Sequence, residues 1–184
     1  MRWSQWFHLA AVIFLSLLPS LGRACWSQAA QRYGVPAELL YAIARTESNL
    51  NPYAVNRTHI QRTGSYDIGL MQINSSHLGT LARLGIQESD LHEPCTNLHV
   101  GAWLLAQNFS RLGTTWNAVG AYNAACSQLK GDACLQARSR YAWLVYRRLP
   151  HNDSSAASSA AVPTGKSNPP QFAVKHPITK RVSP

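Results

Sequence analysis

Apolar side chains recur at helical spacing between Cys25 and Leu149, and glycine or proline closes the runs, so this stretch reads as a set of packed helices. Trp26 to Tyr33 forms a first helix stopped by Gly34, and Pro36, at a first-turn position, starts a second that ends near Glu47. Asn97 to Leu112 is a third, with an apolar face of Leu98, Ala102 or Trp103, Leu105 and Phe109 and with Gly113 as its stop. Trp116 to Ala125 and Leu135 to Leu149 supply two more. In the last, Tyr141, Leu144, Val145 and Leu149 form the expected buried stripe, which gives its aromatics a core role. The second and third helices are separated by a long irregular stretch broken by Asn51-Pro52, Asn56, Thr58, Gly64 and Ser65. Asp67 to Asn74 then reads as a turn or short extended segment entering a helix near Ser76. No internal repeat is present. The expected architecture is mainly α, in the α+β sense of one helical domain with at most a small extended segment.

The two ends follow other rules. Arg2, an apolar run from Leu9 to Leu18, and small residues at Gly22 and Ala24 read as a leader over 1–24, cleaved after Ala24. The apolar run is short for a membrane span and nothing later resembles one, so no stable span is expected once the leader is removed. Beyond Pro150 the sequence turns polar and simple. Residues 151–184 combine serine–alanine repeats, scattered prolines, Lys166, Lys175, Lys180 and Arg181, and read as a disordered basic tail. Residues 25–150 remain as the folded domain, long enough to bury its own core.

Export makes the four cysteines, Cys25, Cys95, Cys126 and Cys134, disulfide candidates with three possible connectivities. Cys126 and Cys134 flank a short polar loop that one local bridge would close. Cys25 would then clamp the N-terminus onto Cys95. No Cys-x-x-Cys or His-x-x-x-His spacing argues for a metal. The net charge of +9 suits an anionic polymer such as peptidoglycan, teichoic acid, nucleic acid or a membrane surface. Export and the lack of a helix-turn-helix, zinc-finger or aromatic ribonucleoprotein motif argue against nucleic acid.

One acid breaks the helical pattern. Leu40, Ile43 and Glu47 fall on one stripe, so a carboxyl stands where a core residue belongs. Lost hydration and the negative end of the helix dipole both favour its neutral form. A neutral carboxylic acid can donate a proton, which glycosidic oxygens need before they leave. A paired structural glutamate is the competing reading. Few of the eight acids rival Asp67 for a second carboxylate role, since Glu88, Asp90 and Glu93 cluster in a connecting segment and Glu38 sits in a helix's first turn. Asp67 is either an electrostatic stabiliser of a developing cation or a turn-former.

Four motifs, in order, carry a resemblance: Glu47-Ser48 with Asn51-Pro52; Gly69-Leu70-Met71-Gln72-Ile73-Asn74; Asn97 through Gly101-Ala102-Trp103; and Ala121-Tyr122-Asn123-Ala124. Together they resemble the lytic transglycosylases of lysozyme-like fold, and within them the small exported enzymes associated with secretion, conjugation and pilus assembly. The resemblance implies a substrate cleft in which Glu47 protonates the bond between N-acetylmuramic acid and N-acetylglucosamine in peptidoglycan glycan strands. The muramic acid's own 6-hydroxyl then attacks, leaving a 1,6-anhydro end. It also implies that Ser48, Gln72, Asn74, Tyr122 and Asn123 line the substrate, that no cofactor is needed, and that the enzyme acts in the periplasm beside an envelope-spanning apparatus. Amides suit sugar hydroxyl and acetamido groups, whereas the competing role for Gln72 and Asn123 is to satisfy backbone groups in turns. The stretch from Asp67 to Ser75 also looks like the one that carries the second carboxylate of animal lysozymes. Two alternatives therefore stay open: a muramidase using Asp67 and water, and a wall-binding assembly module without turnover.

Overall fold

A computed structural model describes residues 21–150. The tail expected over 151–184, and all of the expected leader but 21–24, lie outside the described residues. Seven α-helices and a three-stranded antiparallel sheet make up the described part.

Helix α1 (Leu21–Tyr33) ends at Gly34, whose φ of 66° only glycine adopts cheaply. It begins upstream of Cys25 and runs through the expected cleavage point. Helix α2 (Ala37–Glu47) starts one residue later than the sequence suggests, with Pro36 as its N-cap and the Pro36 carbonyl accepting from the amides of Leu39 and Leu40. Leu39, Leu40, Ala42, Ile43 and Ala44 are buried, so the stripe leading to Glu47 is the core face.

The long stretch after α2 is more regular than its turn residues suggest. Strand β1 (Val55–Asn56) pairs with β2 (Asp67–Ile68), and β2 with β3 (Ile73–Asn74). A short helix, α3 (Ile60–Thr63), fills the β1–β2 connection and closes on Gly64. Two-residue strands carry too little periodicity to be read from sequence. After β3, a 3-10 turn (Ser75–His77) leads into α4 (Leu78–Arg83), and a second 3-10 turn (Glu88–His92) precedes α5 (Pro94–Leu112). The α5 start carries a cap the pattern did not show: the Glu93 carboxylate accepts from the amides of Cys95 and Thr96.

Helices α6 (Trp116–Asn123) and α7 (Gly131–Tyr146) complete the described fold. Both boundaries of α7 fall earlier than expected from the sequence, and Leu144 is 46% exposed, not buried. Of the expected stripe Tyr141 and Val145 are buried and Leu149 partly so, with Ala142 completing the buried face. Gly120 lets α6 and α7 touch, because a Cβ there would stand 2.4 Å from the Arg138 carbonyl oxygen. Disulfides join Cys25 to Cys95, tying α1 to α5, and Cys126 to Cys134, closing the α6–α7 loop; both pairs have Cα atoms 5.6 Å apart.

The tightest point of the core is the β2–β3 turn. Gly69 has φ 78°, and a Cβ there would lie 2.2 Å from the Asn97 amide nitrogen and 2.3 Å from the Leu91 carbonyl oxygen. Asn97 itself is fully buried. Its Nδ2 donates to the carbonyls of Ile68 and Leu91, and its Oδ1 accepts from the Met71 amide at 2.7 Å. Asn97→Ala would strand three buried backbone groups, so urea unfolding of this variant should show a loss of about 3 kcal/mol or more. A loss below about 1 kcal/mol would mean that water replaces the side chain there.

Candidate active site

Glu47 is the last residue of α2, and its carboxyl is partly buried against α7. The Tyr141 hydroxyl donates a hydrogen bond to Glu47 Oε1. The Glu47 pKa is raised from 4.5 to about 7. Burial is the largest cause; the Tyr141 hydrogen bond opposes it, and the negative charge of Asp67 adds to it. Near neutrality this carboxyl therefore holds its proton for a substantial part of the time.

Asp67 faces Glu47's field from β2. Its Oδ1 accepts from Asn74 Nδ2 at 2.8 Å, and its Oδ2 lies 3.5 Å from His59 Nε2. Asn74 is the cross-strand partner of Asp67, so the pairing of β2 with β3 sets this contact. The same Asn74 side chain accepts from the Ser76 amide, capping the following 3-10 turn. Asn74 thus lies beside the candidate carboxylate and orients it.

Two tyrosines complete the cluster. The Tyr122 hydroxyl donates to the Met71 carbonyl at 3.0 Å. Burial and then the charge of Glu47 push both Tyr122 and Tyr141 well above the ordinary phenol pKa, so both stay neutral donors. The resemblance places Tyr122 along the substrate. It shares Glu47's field, but the direct hydrogen bond to the acid belongs to Tyr141. The helical stripe made Tyr141 a core aromatic. What could have singled it out is its hydroxyl, because a buried tyrosine needs a partner and Glu47 is the misplaced acid on the facing helix. His59 beside Asp67 carries no sequence signal, since its contact arises from the β1–β2 connection folding back.

The remaining expected residues divide. Ser48 Oγ donates to the Leu70 carbonyl at 2.7 Å, lashing the end of α2 to the β2–β3 turn. Gln72 Nε2 donates to the carbonyls of Ala54 and Gly69. Its nitrogen is therefore held by backbone, which is the competing role the sequence left open for it. Asn123 is exposed at the end of α6. Backbone strain borders the acid: Asn49 and Leu50, just past Glu47, have φ of 53° and 67°, and Gln72 has φ of 49°. Left-handed conformations in Leu and Gln are costly, and they persist where surrounding contacts over-determine them. Among the described residues no cluster of three or more His, Cys, Asp or Glu could hold a metal ion.

Residues 24–140 match the sequence family described as the transglycosylase SLT domain. The chain is 42% identical over 147 residues to invasion protein IagB of Salmonella typhimurium, covering 78% of this chain and 88% of that protein. It is 44% identical over 138 residues to protein IpgF of Shigella flexneri, covering 74% and 86%. The solved structure of an inactive mutant of lytic transglycosylase Slt from Pseudomonas aeruginosa superposes with a TM-score of 0.54 and 23% identity, over 71% of this chain and 23% of that one. That likeness bears on the fold, which is lysozyme-like.

The raised acid has a cost in stability. Because the folded-state pKa lies above the unfolded value, the folded protein binds the extra proton between about 4.5 and 7. Stability is full below that window and falls as pH rises through it. Glu47→Gln should therefore be more stable than the parent by about 1–3 kcal/mol at pH 8, with the difference vanishing near pH 4; equal thermal shifts at both pH values would refute the burial argument. Tyr141→Phe removes the group that lowers the Glu47 pKa, so the Glu47 carboxyl titration followed by carbon NMR should move upward from about 7.

Proposed function

The chain belongs to the transglycosylase SLT domain family, the peptidoglycan lytic transglycosylases, and from that premise we propose that Glu47 is the single acid and base of its reaction. The observation that carries this reading is a carboxyl with a pKa of about 7, hydrogen-bonded by a neutral tyrosine and facing a second carboxylate. Protonated Glu47 gives its proton to the glycosidic oxygen between N-acetylmuramic acid and N-acetylglucosamine, and the bond to the anomeric carbon breaks. Positive charge builds on the sugar ring, and the ionised pair of Glu47 and Asp67 stabilises it. The departure of the leaving sugar turns Glu47 into a base. It takes the proton of the muramic acid's 6-hydroxyl as that oxygen closes on the anomeric carbon, which gives the 1,6-anhydro ring and restores neutral Glu47. No water is consumed.

Tyr141 positions Glu47 in both protonation states. Its hydroxyl donates to the carboxylate, so it moderates a pKa that burial alone would raise further. Asn74 and His59 hold Asp67 at its two oxygens. The carbonyl side of Gln72 and the exposed Asn123 are the amides proposed to meet sugar acetamido groups. Asp67 also favours a second reading, hydrolysis, in which a water attacks on the face that Asp67 stabilises and a reducing end results.

The finer setting rests on further support. Two disulfides fit an oxidising compartment, and no helix among the described residues is long and apolar enough to cross a membrane. With the leader over 1–24, the folded domain over 25–150 and the tail over 151–184, the proposed site of action is the periplasm. A relative named as an invasion protein supports wall opening for an envelope-spanning apparatus.

Mass spectrometry of muropeptides released from purified peptidoglycan tests the reaction. Anhydro products, lighter by one water than reducing ones, are expected from the parent, with a loss of about 10²–10⁴-fold in Glu47→Gln. Reducing products would establish the hydrolytic reading instead. The rate should fall as pH rises through about 7, where Glu47 loses its proton. Unchanged cleavage by Glu47→Gln would overturn the assignment of the acid.

A further inference from the structure

The outer face of α2 carries a second feature. Helical geometry sets Tyr41 and Arg45 away from the buried stripe of Leu40, Ile43 and Glu47. A concavity of about 570 Å³ runs along that outer face, lined by Trp26, Tyr41, Arg45, Arg147 and Arg148 and ending at Pro150. An adjoining concavity of about 280 Å³ shares Trp26 and Tyr41 and continues over Leu50, Pro52, Leu70 and Leu98 beside the Cys25–Cys95 disulfide. Neither is lined by Glu47 or Asp67.

The chemistry of this groove is graded. At one end three exposed guanidinium groups converge from the C-terminal ends of two helices. Among the described residues none of the three has a carboxylate partner, since the one close contact between a basic side chain and a carboxylate joins His59 to Asp67. Glu38 lies in the same concavity without pairing them. The helix dipoles account for cations at those ends. They do not account for the aromatic wall, where Trp26 and Tyr41 meet edge to face at 5.7 Å and Tyr41 remains 38% exposed. Farther along, the lining is aliphatic.

We infer that this groove docks a segment of a partner protein that presents two or more carboxylates to Arg45, Arg147 and Arg148 and an apolar anchor to the pocket beyond Trp26 and Tyr41. Trp, Tyr and Arg are the residue types that dominate binding energy at protein interfaces, and here they line one groove. Guanidinium forks match carboxylates in a bidentate way. A wall polymer of sugars and phosphates would satisfy the arginines but has no apolar group for the aliphatic end. The chain's own continuation is a poor occupant. It leaves from Pro150 with a single acidic side chain, Asp153, short of the two carboxylates required, and its Lys166, Lys175, Lys180 and Arg181 repel the arginines.

Selection of a displayed random peptide library, about a dozen residues long, on the full exported protein with its disulfides formed tests the inference. Acidic sequences with one or two large apolar residues should be enriched. Their binding should weaken about tenfold or more in the Arg45→Gln, Arg147→Gln, Arg148→Gln triple variant and in Trp26→Ala. A charge-matched variant elsewhere, Arg62→Gln with Arg83→Gln and Arg140→Gln, controls for net charge and should bind like the parent. Enrichment that ignores acidity, equal weakening in the control, or capture of phosphatidylglycerol vesicles in place of peptide would each overturn the assignment. Binding is read without turnover, so it succeeds or fails apart from the reaction proposed for Glu47.

Discussion

A buried turn organises this protein. The four residues Gly69 to Gln72 join β2 to β3 inside the core, with Leu70 5% exposed and Met71 fully buried. Turns normally lie at the surface because water satisfies their backbone, and this one must be satisfied by side chains from elsewhere. The Ile68 carbonyl and the Met71 amide go to Asn97, the Gly69 carbonyl to Gln72, the Leu70 carbonyl to Ser48 and the Met71 carbonyl to Tyr122. The Gly69 amide goes to Ala54 beside β1. Three regions far apart in sequence, the stretch from Ser48 to Ala54, Asn97 on α5 and Tyr122 on α6, thus converge on one short stretch of backbone. Ser48 follows Glu47 directly, so the same bonds fix the end of α2 and the acid it carries.

That convergence explains what the motifs mean physically. Ser48, Gln72 and Tyr122 were singled out by resemblance as groups that line substrate. Their hydrogen bonds hold the turn, which fixes Asp67 and Asn74 on the flanking strands. A residue can mark a site by building its floor. The pattern was legible because buried backbone admits few substitutes, whereas a side chain that only touches sugar can be exchanged more freely.

The helices were legible for a different reason. Their apolar stripes are long, and Gly34, Gly113 and Pro36 punctuate them where left-handed or non-helical backbone is required. The sheet was not, since each strand has two residues and its register follows from the buried turn, not from alternation. Glu47 was legible as an acid on an apolar stripe. Tyr141 was not, because a hydroxyl's partner is set by how α7 crosses α2, and periodicity registers only the ring. Leu144 erred in the opposite direction: Tyr141, Ala142 and Val145 define the buried face of α7, and Leu144 lies outside it, on the side of exposed Arg140, Arg147 and Arg148.

Charge placement completes the argument. The chain carries a net +9, and a guanidinium beside Glu47 would hold its proton off at neutral pH. Burial, Tyr141 and Asp67 set the Glu47 pKa instead, while Arg45, two residues earlier on the same helix, points to the outer face. The periodicity of α2 therefore separates two chemistries along one element: an acid whose proton is retained by desolvation on the inner side, and the guanidinium of Arg45 on the outer side. A helix of eleven residues can do both because its faces are set by spacing alone. An arginine at position 43, one turn before Glu47 on the inner face, would instead set a permanent positive charge beside the carboxyl and hold its proton off at neutral pH.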